Sequence, residues 1–200
     1  MKKLIFLALF TVSAGLVYAQ APKIGFKAGL NLNHVSTNDD ELKHDLAGRA
    51  SMHFGVIADF EMSKTWSFQP QLMFSGRGAK LAHGDHSDVF AFNSLELPLN
   101  FVYKKDAAKG FFMGMGPSFG YNLSGKIKED HESEDIEFGS DEGQINRFDL
   151  GLNALLGYQF SNRFFVSSNY SLGLSNWNNT SASTWRNNLV GISIGYFLKK

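Results

Sequence analysis

Two segments of the sequence are rich in residue types that bind metal ions. The first is His83-Gly-Asp-His86-Ser-Asp88, and the second is residues 127–143, where Lys128 is the only Lys or Arg. The acidic residues of the second segment are Glu129, Asp130, Glu132, Glu134, Asp135, Glu137, Asp141 and Glu142. Zinc needs three or four rigidly held ligands, and calcium-binding loops space their carboxylates around a glycine. Neither pattern is present, so ordinary polar loops are favoured and no metal ligand is predicted, with calcium binding by residues 127–143 left open.

A catalytic group of residues is equally hard to assemble. A serine hydrolase needs Ser, His and a carboxylate to converge, and His53 with Ser94 is the only loosely plausible pair. Gly114-Met-Gly116 opens no helix and is therefore no dinucleotide fingerprint. The sequence predicts a non-enzymatic protein with no catalytic residue and no cofactor.

Seven charged residues stand within otherwise apolar or glycine-rich stretches, and they could share one interior. We expect Lys27 to face the level of Asp59 and Glu61 across the first hairpin, with the others further along. A charge removed from water costs several kcal/mol unless it is paired. These residues therefore predict an interior polar network that acts as a structural plug, and a narrow pore is the alternative. The network comprises Lys27, Asp59, Glu61, Arg77, Glu96, Arg147 and Asp149.

Composition excludes several classes of protein. The 200 residues include 19 Lys and Arg against 19 Asp and Glu, with no Cys and a mean hydropathy of −0.16. The balanced charge argues against a nucleic-acid partner, whose phosphates need clustered cations. Absence of Cys excludes disulfides and thiolate metal sites. The chain is rich in Gly, with 20 residues, and in Phe, with 19.

The first residues have the pattern of an export signal. Lys2 and Lys3 precede an apolar run from Leu4 to Val17, and Val17-Tyr-Ala19 provides small residues before a cleavage site. The run is short for a membrane span, which needs about 20 apolar residues. We therefore expect residues 1–19 to be a cleaved signal peptide and residues 20–200 to form one exported domain.

From Lys23 onward, eight segments alternate with the period of two that is typical of β-strands with unlike faces. In the first segment Ile24, Phe26, Ala28, Leu30 and Leu32 share one face, and glycine or polar residues share the other. Across all eight segments the apolar face has one polar residue, Ser168, and no charge. The fifth segment is ambiguous because Phe111 and Phe112 compete for this face.

Short and long connections alternate between these segments. Those after the second, fourth and sixth segments are short, whereas the others run from about a dozen to about two dozen residues. Outer-membrane barrels combine short periplasmic turns with long external loops in this way. The sequence therefore predicts an all-β protein, an eight-stranded antiparallel up-and-down transmembrane β-barrel.

A water-soluble, lipocalin-like barrel would place the apolar face inward and is the alternative. The interior of eight strands holds its own side chains or one small ligand, and it is too narrow for dozens of Phe and Leu residues. Aromatic residues also cluster beside the short turns, as in the girdle at a membrane interface. The predicted periplasmic-side girdle comprises Phe60, Trp66, Phe101, Tyr103, Phe111, Tyr158, Phe160, Phe164 and Tyr196.

Three prolines interrupt this pattern, because proline removes a ladder donor and a closed barrel has no edge strand to hold it. We expect local bulges or strain in the third to fifth segments, near Pro70, Pro98 and Pro117.

The motifs Leu95-Glu-Leu-Pro-Leu-Asn-Phe-Val-Tyr-Lys104, Gly114-Met-Gly-Pro-Ser-Phe-Gly-Tyr-Asn-Leu-Ser-Gly-Lys126 and Gly191-Ile-Ser-Ile-Gly-Tyr-Phe197 resemble PorT-type outer-membrane β-barrel proteins of Bacteroidetes. Phe148-Asp-Leu-Gly-Leu-Asn153 and Gly173-Leu-Ser-Asn176 extend the resemblance over most of the chain. It implies an outer-membrane location and an eight-stranded barrel, and the namesake is tied to assembly of a protein-secretion system.

Together these patterns predict a small barrel in contact with outer-membrane lipid. Its role would be structural or interactive, with a protein partner reached through external loops or periplasmic turns. A component of a secretion or transport assembly is the alternative, and a narrow pore is a further one.

Overall fold

The structure is a computed structural model that describes residues 21–39, 46–83, 86–106, 109–129, 132–139, 141, 144–177 and 184–199. The predicted signal peptide lies outside these residues. No helix within the described ranges is long and apolar enough to cross a membrane.

Ten strands occur within these described ranges, of which eight are long. They are β1 (Lys23–Thr37), β2 (Leu46–Ala47), β3 (Arg49–Glu61), β4 (Trp66–His83), β5 (His86–Lys104), β6 (Gly110–Glu129), β7 (Glu132–Asp135), β8 (Phe148–Gln159), β9 (Phe164–Gly173) and β10 (Trp185–Phe197). The two short strands, β2 and β7, pair with the far ends of β4 and β6.

The eight long strands close into a cylinder. Each pairs antiparallel with the next one along the chain, and β1 pairs with β10 from Gly25 opposite Phe197 to Thr37 opposite Trp185. Closure leaves no free backbone donor row in the wall, which a lipid environment requires. The predicted eight-stranded antiparallel barrel is therefore confirmed.

The apolar stripes face outward along every long strand. None of the residues that the alternation assigned to the lipid face is buried, and Met52 and Phe148 expose 72% and 74% of their surface. In the ambiguous strand β6, Phe111 faces outward at 71% exposure, and Phe112 faces inward at 8%. An outward apolar belt rules out the lipocalin-like alternative.

The prediction of a uniformly small and polar interior is wrong. Six buried apolar residues form a layer across the lumen: Ile57, Val102, Phe112, Leu155, Phe165 and Phe197. Glycines of the wall make room for the rings. A Cβ atom at Gly195 would lie 2.1 Å from the ring of Phe165, and one at Gly157 would lie 2.3 Å from the ring of Phe112.

The long connection predicted between the third and fourth segments is also wrong. Strands β4 and β5 pair continuously from Met73 opposite Glu96 to His83 opposite His86, so most of this stretch is strand. The side chains of His83 and His86, which carried the metal-like pattern, lie outside the described residues.

The ladder is interrupted beside Pro70 and Pro98, as expected for prolines, but its register does not change there. Pairing of β3 with β4 skips Gln69 and Pro70 and resumes in the same register. Pairing of β5 with β6 likewise skips two positions after Pro98 without a shift. A register shift occurs between Asn93 and Ser94, several residues away from any proline.

Tight contact between β5 and β6 yields a testable prediction at Gly116. A Cβ atom there would lie 1.8 Å from the carbonyl oxygen of Leu99. We expect Gly116→Ala to destabilise the barrel by about 1–3 kcal/mol, the usual cost of overpacking. Urea unfolding in lipid vesicles, followed by tryptophan fluorescence, measures this loss.

Gly48→Ala is the matched control, because the tightest contact of its Cβ would be the flexible Cδ1 of Leu32 at 3.3 Å. The nearest backbone atom, the carbonyl oxygen of Asn33, would lie at an ordinary contact distance of 3.5 Å. Equal unfolding midpoints for the two variants would contradict the predicted close approach at Gly116.

Candidate functional site

The lumen is crossed by buried polar side chains at three levels, of which the lowest is nearest the short turns. At the lowest level Lys104 of β5 forms an ion pair with Asp59 of β3, and the Gln69 amide donates to the same carboxylate at 3.2 Å. Both charged side chains are almost fully buried. This pair joins strands that are not neighbours and therefore spans part of the lumen.

The middle level consists of hydrogen bonds between polar side chains. The Lys27 ammonium donates to Gln71 at 3.2 Å, and Asn153 donates to Asn100 at 2.9 Å. His53 is held between Asn31 and Ser193, each 2.8 Å from a ring nitrogen. The bond of His53 to Asn31 joins the neighbouring strands β3 and β1. The other bonds of this level link strands separated by one other strand.

The upper level centres on Arg77 of β4. Its guanidinium donates to Glu96 of β5 at 2.7 Å and to Asp149 of β8 at 2.6 Å. The hydroxyl of Ser175 donates to the other oxygen of Asp149 at 2.5 Å. All three charged residues are at most 7% exposed. A buried arginine shared by two carboxylates leaves one net negative charge, which the hydroxyl helps to stabilise.

The seven predicted network residues separate into different environments. Arg77, Glu96 and Asp149 come together, whereas Lys27 contacts Gln71 and not the predicted acidic level. Asp59 is paired, but its partner is Lys104, which the sequence reasoning missed. The alternation could have identified Lys104, because it lies two residues after Val102 and therefore on the inward face of the same strand.

Glu61 and Arg147 lie at the margins of the lumen. Glu61 pairs with Lys23 in a half-buried position. Arg147 stacks over the ring of Phe138 at 4.8 Å and donates to the Asn122 carbonyl at 3.3 Å. Neither residue belongs to the buried ion-pair groups.

The cavities identified between these levels are very small. One lies among the apolar layer and Lys104 and has a volume of about 10 Å³, and another beside His53 and Glu96 has about 20 Å³. A cavity of this size holds about one water molecule. Side chains therefore fill the lumen where the structure describes it.

Above Arg77 a much larger cavity of about 540 Å³ opens at the end with the long connections. We call it the rim cavity, and it is lined by Val35, Ala79, Phe90, Phe92, Ile127, Asp135, Ile136, Glu137, Gln144, Ile145, Trp177 and Trp185. Its aromatic wall is packed edge to face, with the rings of Phe92 and Trp177 4.8 Å apart. Sequence analysis missed this cavity, although Phe90 and Phe92 share the inward parity of Glu96.

The predicted girdle residues lie at the opposite end, beside the short turns. All nine are exposed or half-buried. Several of their rings touch: Trp66 with Tyr103 at 5.4 Å, Phe111 with Tyr158 at 5.0 Å and Phe164 with Tyr196 at 4.8 Å.

The pair His53 and Ser94 does not form a catalytic arrangement. Both ring nitrogens of His53 are engaged by Asn31 and Ser193, and the Ser94 hydroxyl donates to Asn122 at 2.6 Å. Within the described residues, no group of three or more metal-ligating side chains is suited to hold a metal ion.

An apolar outer belt around a closed, polar-filled cylinder defines the class of outer-membrane β-barrels. The family model described as "Outer membrane protein beta-barrel domain" matches residues 18–179, and this chain belongs to that family. The predicted outer-membrane barrel family and outer-membrane location are thereby supported at this level.

Solved structures share the fold at low sequence identity. Neisserial surface protein A has 10% identity and a TM-score of 0.55, with 90% of this chain and 100% of that chain covered. The outer membrane protein OprG from Pseudomonas aeruginosa has 10% identity and a TM-score of 0.54, with coverage of 92% and 99%. Comparison with curated proteins finds no significant match.

The upper level yields a prediction for Arg77→Met. This change leaves Glu96 and Asp149 buried without their cation, and breaking such a group costs about 3–5 kcal/mol. Urea unfolding in vesicles should report a loss of this size. Replacing both acids as well, in Arg77→Met/Glu96→Gln/Asp149→Asn, should recover part of it because no uncompensated charge remains.

Lys126→Met is the control, since its bond to Asp135 is long at 3.5 Å and both side chains are largely exposed. An Arg77→Met variant as stable as Lys126→Met would contradict the assignment of a stabilising role to the buried charges.

Proposed function

We propose that this protein is a sealed, non-enzymatic outer-membrane barrel that acts as a structural or interaction protein through its external end. The observation that carries the proposal is that side-chain bonds cross the lumen at three successive levels. Arg77 reaches Asp149 across two intervening strands, and Lys104 reaches Asp59 across one. A pore would need a continuous water-filled path in place of these bonds.

The apolar layer adds a second kind of barrier. Ile57 lies between Asp59 and Gly55 on β3, and Val102 lies between Lys104 and Asn100 on β5. The layer therefore separates the lowest ion pair from the polar middle level. An ion entering it would lose its hydration shell without gaining a partner, which is costly in an apolar surrounding.

The proposed orientation follows the habit of bacterial outer-membrane barrels, whose short turns face the periplasm. The nine girdle residues would then lie at the periplasmic interface, where Trp and Tyr rings are favoured. The rim cavity and the acidic residues of segment 127–143 would face the exterior. This surface is the one we propose for a protein partner.

Membership in a PorT-like secretion or transport assembly is the second candidate, and the quoted motifs from Leu95 to Phe197 are what favour it. Affinity capture from gently solubilised outer membranes distinguishes it from the first. A stoichiometric periplasmic or secretion partner would support the assembly role, whereas partners bound only through the external end would support the first proposal.

Planar-bilayer recording tests the sealed lumen. We expect the wild-type protein, inserted in folded form, to give no steady conductance in KCl. The reason is that the lumen is bridged by Arg77, Glu96 and Asp149 above the apolar layer. A porin inserted in the same bilayer serves as the positive control.

Steady current steps comparable to those of the porin would overturn the sealed-lumen proposal and favour the narrow-pore alternative. Folded insertion is checked separately by the different electrophoretic mobility of heated and unheated samples.

A further inference from the structure

We infer that the rim cavity is a binding site for small, uncharged, mainly apolar molecules that carry an oxygen acceptor, such as ketones, esters or alcohols. This inference goes beyond the sealed barrel, since it concerns the space above the plug. It rests on three features of the cavity: its walls, one unpaired donor and the charge at its opening.

The walls are those of a small-molecule pocket. A volume of about 540 Å³ lies within the range of about 300–1,000 Å³ usual for ligand sites. Val35, Ala79, Phe92 and Trp177 form a buried apolar cluster, with exposures from 1% to 3%. These side chains are held in place by aromatic packing, because Phe92 contacts both Trp177 and Phe138. The cavity is therefore largely preformed.

One hydrogen-bond donor in these walls has no partner within the part of the chain that the structure describes. The indole nitrogen of Trp177 is buried and makes no hydrogen bond with the described residues, although the residue is only 3% exposed. A buried Trp N–H usually finds an acceptor, and leaving it unmade costs about 1–3 kcal/mol. Because Trp177 lines the rim cavity, we infer that a small rotation of its ring would bring this donor to a ligand oxygen. This donor favours an oxygen-bearing molecule over a pure hydrocarbon.

The charge at the opening selects against anions. Among the described residues that line the cavity, Asp135 and Glu137 are the charged ones, and none is Lys or Arg. Glu134 is exposed on the same connection and adds to the negative field. Lys126 lies 3.5 Å from Asp135 and is already engaged by that carboxylate. A carboxylate ligand would therefore compete with Asp135 for this cation, so fatty acids and other organic anions are disfavoured.

The plug makes the cavity a blind pocket. Ala79 follows Arg77 on the inward face of β4, and Arg77 is tied to Glu96 and Asp149 directly below. A ligand therefore enters and leaves through the same opening. Binding and conduction are separate properties, so failure of one experiment leaves the other informative.

Tryptophan indole NMR signals of the full protein in lipid nanodiscs provide the test. Of the three tryptophans, Trp177 and Trp185 line the cavity, while Trp66 is 49% exposed on the lipid face at the other end. Benzylacetone is the probe, butylbenzene lacks its oxygen, and phenylbutyrate carries a charge. We expect benzylacetone to shift the indole signals of Trp177 and Trp185 saturably, with the Trp177 N–H proton moving downfield. The Trp66 signal should change only linearly with concentration, because benzylacetone partitions into the lipid around it.

Two variants sharpen the result. Trp177→Phe keeps one six-membered aromatic ring and removes the N–H donor together with the five-membered ring. The added space is available to both probes, so the ratio of their affinities reports the donor. We expect this variant to lose a preference of about fivefold for benzylacetone over butylbenzene, measured on Trp185. Ala79→Phe fills the cavity and should abolish saturable binding. Ala154→Phe adds the same bulk to an exposed position on the lipid face of β8 and should bind as the wild type does.

Several outcomes would overturn the inference. They are unchanged saturation in Ala79→Phe, parallel unsaturable shifts of all three tryptophans, or tighter binding of phenylbutyrate than of benzylacetone. Contacts from lipid acyl chains to Trp177 that benzylacetone fails to displace would instead identify a bound lipid chain as the occupant.

Discussion

A wall of eight hydrogen-bonded strands has a narrow interior, and this width governs what the rest of the chain can place there. Inward positions must hold small residues, glycine, or large side chains that pack into the space left by a glycine on another strand. Phe112 and Phe165 fit because Gly157 and Gly195 leave space for their rings. Glycines in the wall therefore provide the space that the large inward side chains need, which accounts for part of the high glycine content.

The same narrowness brings opposite walls within reach of one side chain. Arg77 contacts a carboxylate from β8, and the pair Lys104–Asp59 spans β4. Such bonds hold the cylinder from within, in addition to the ladders of its wall. Because these ionic groups are buried, they depend on each other, and removal of one member leaves the charge of its partner without compensation.

The outward face could be predicted from the sequence because it depends only on a period of two within each strand. The inward partners could not, since they join distant positions: Lys104 and Asp59 are 45 residues apart, and Arg77 and Asp149 are 72 apart. Lys27 was assigned to the wrong level for this reason. The rim cavity was missed because β4, β5 and β6 continue beyond the apolar belt, where the alternation no longer separates lipid from lumen.

The extension of β4, β5 and β6 past the belt affects how neighbouring barrels can associate in the membrane. There the sheet is no longer closed, and its outer strands would offer unpaired backbone groups to a neighbouring molecule. Two short strands cover these borders: β2 lies against Lys80 and Leu81, and β7, with the sequence Glu-Ser-Glu-Asp, lies against residues 126–129. A brief, strongly acidic border strand repels its own copy. Densely packed barrels would thus be kept from joining edge to edge above the lipid.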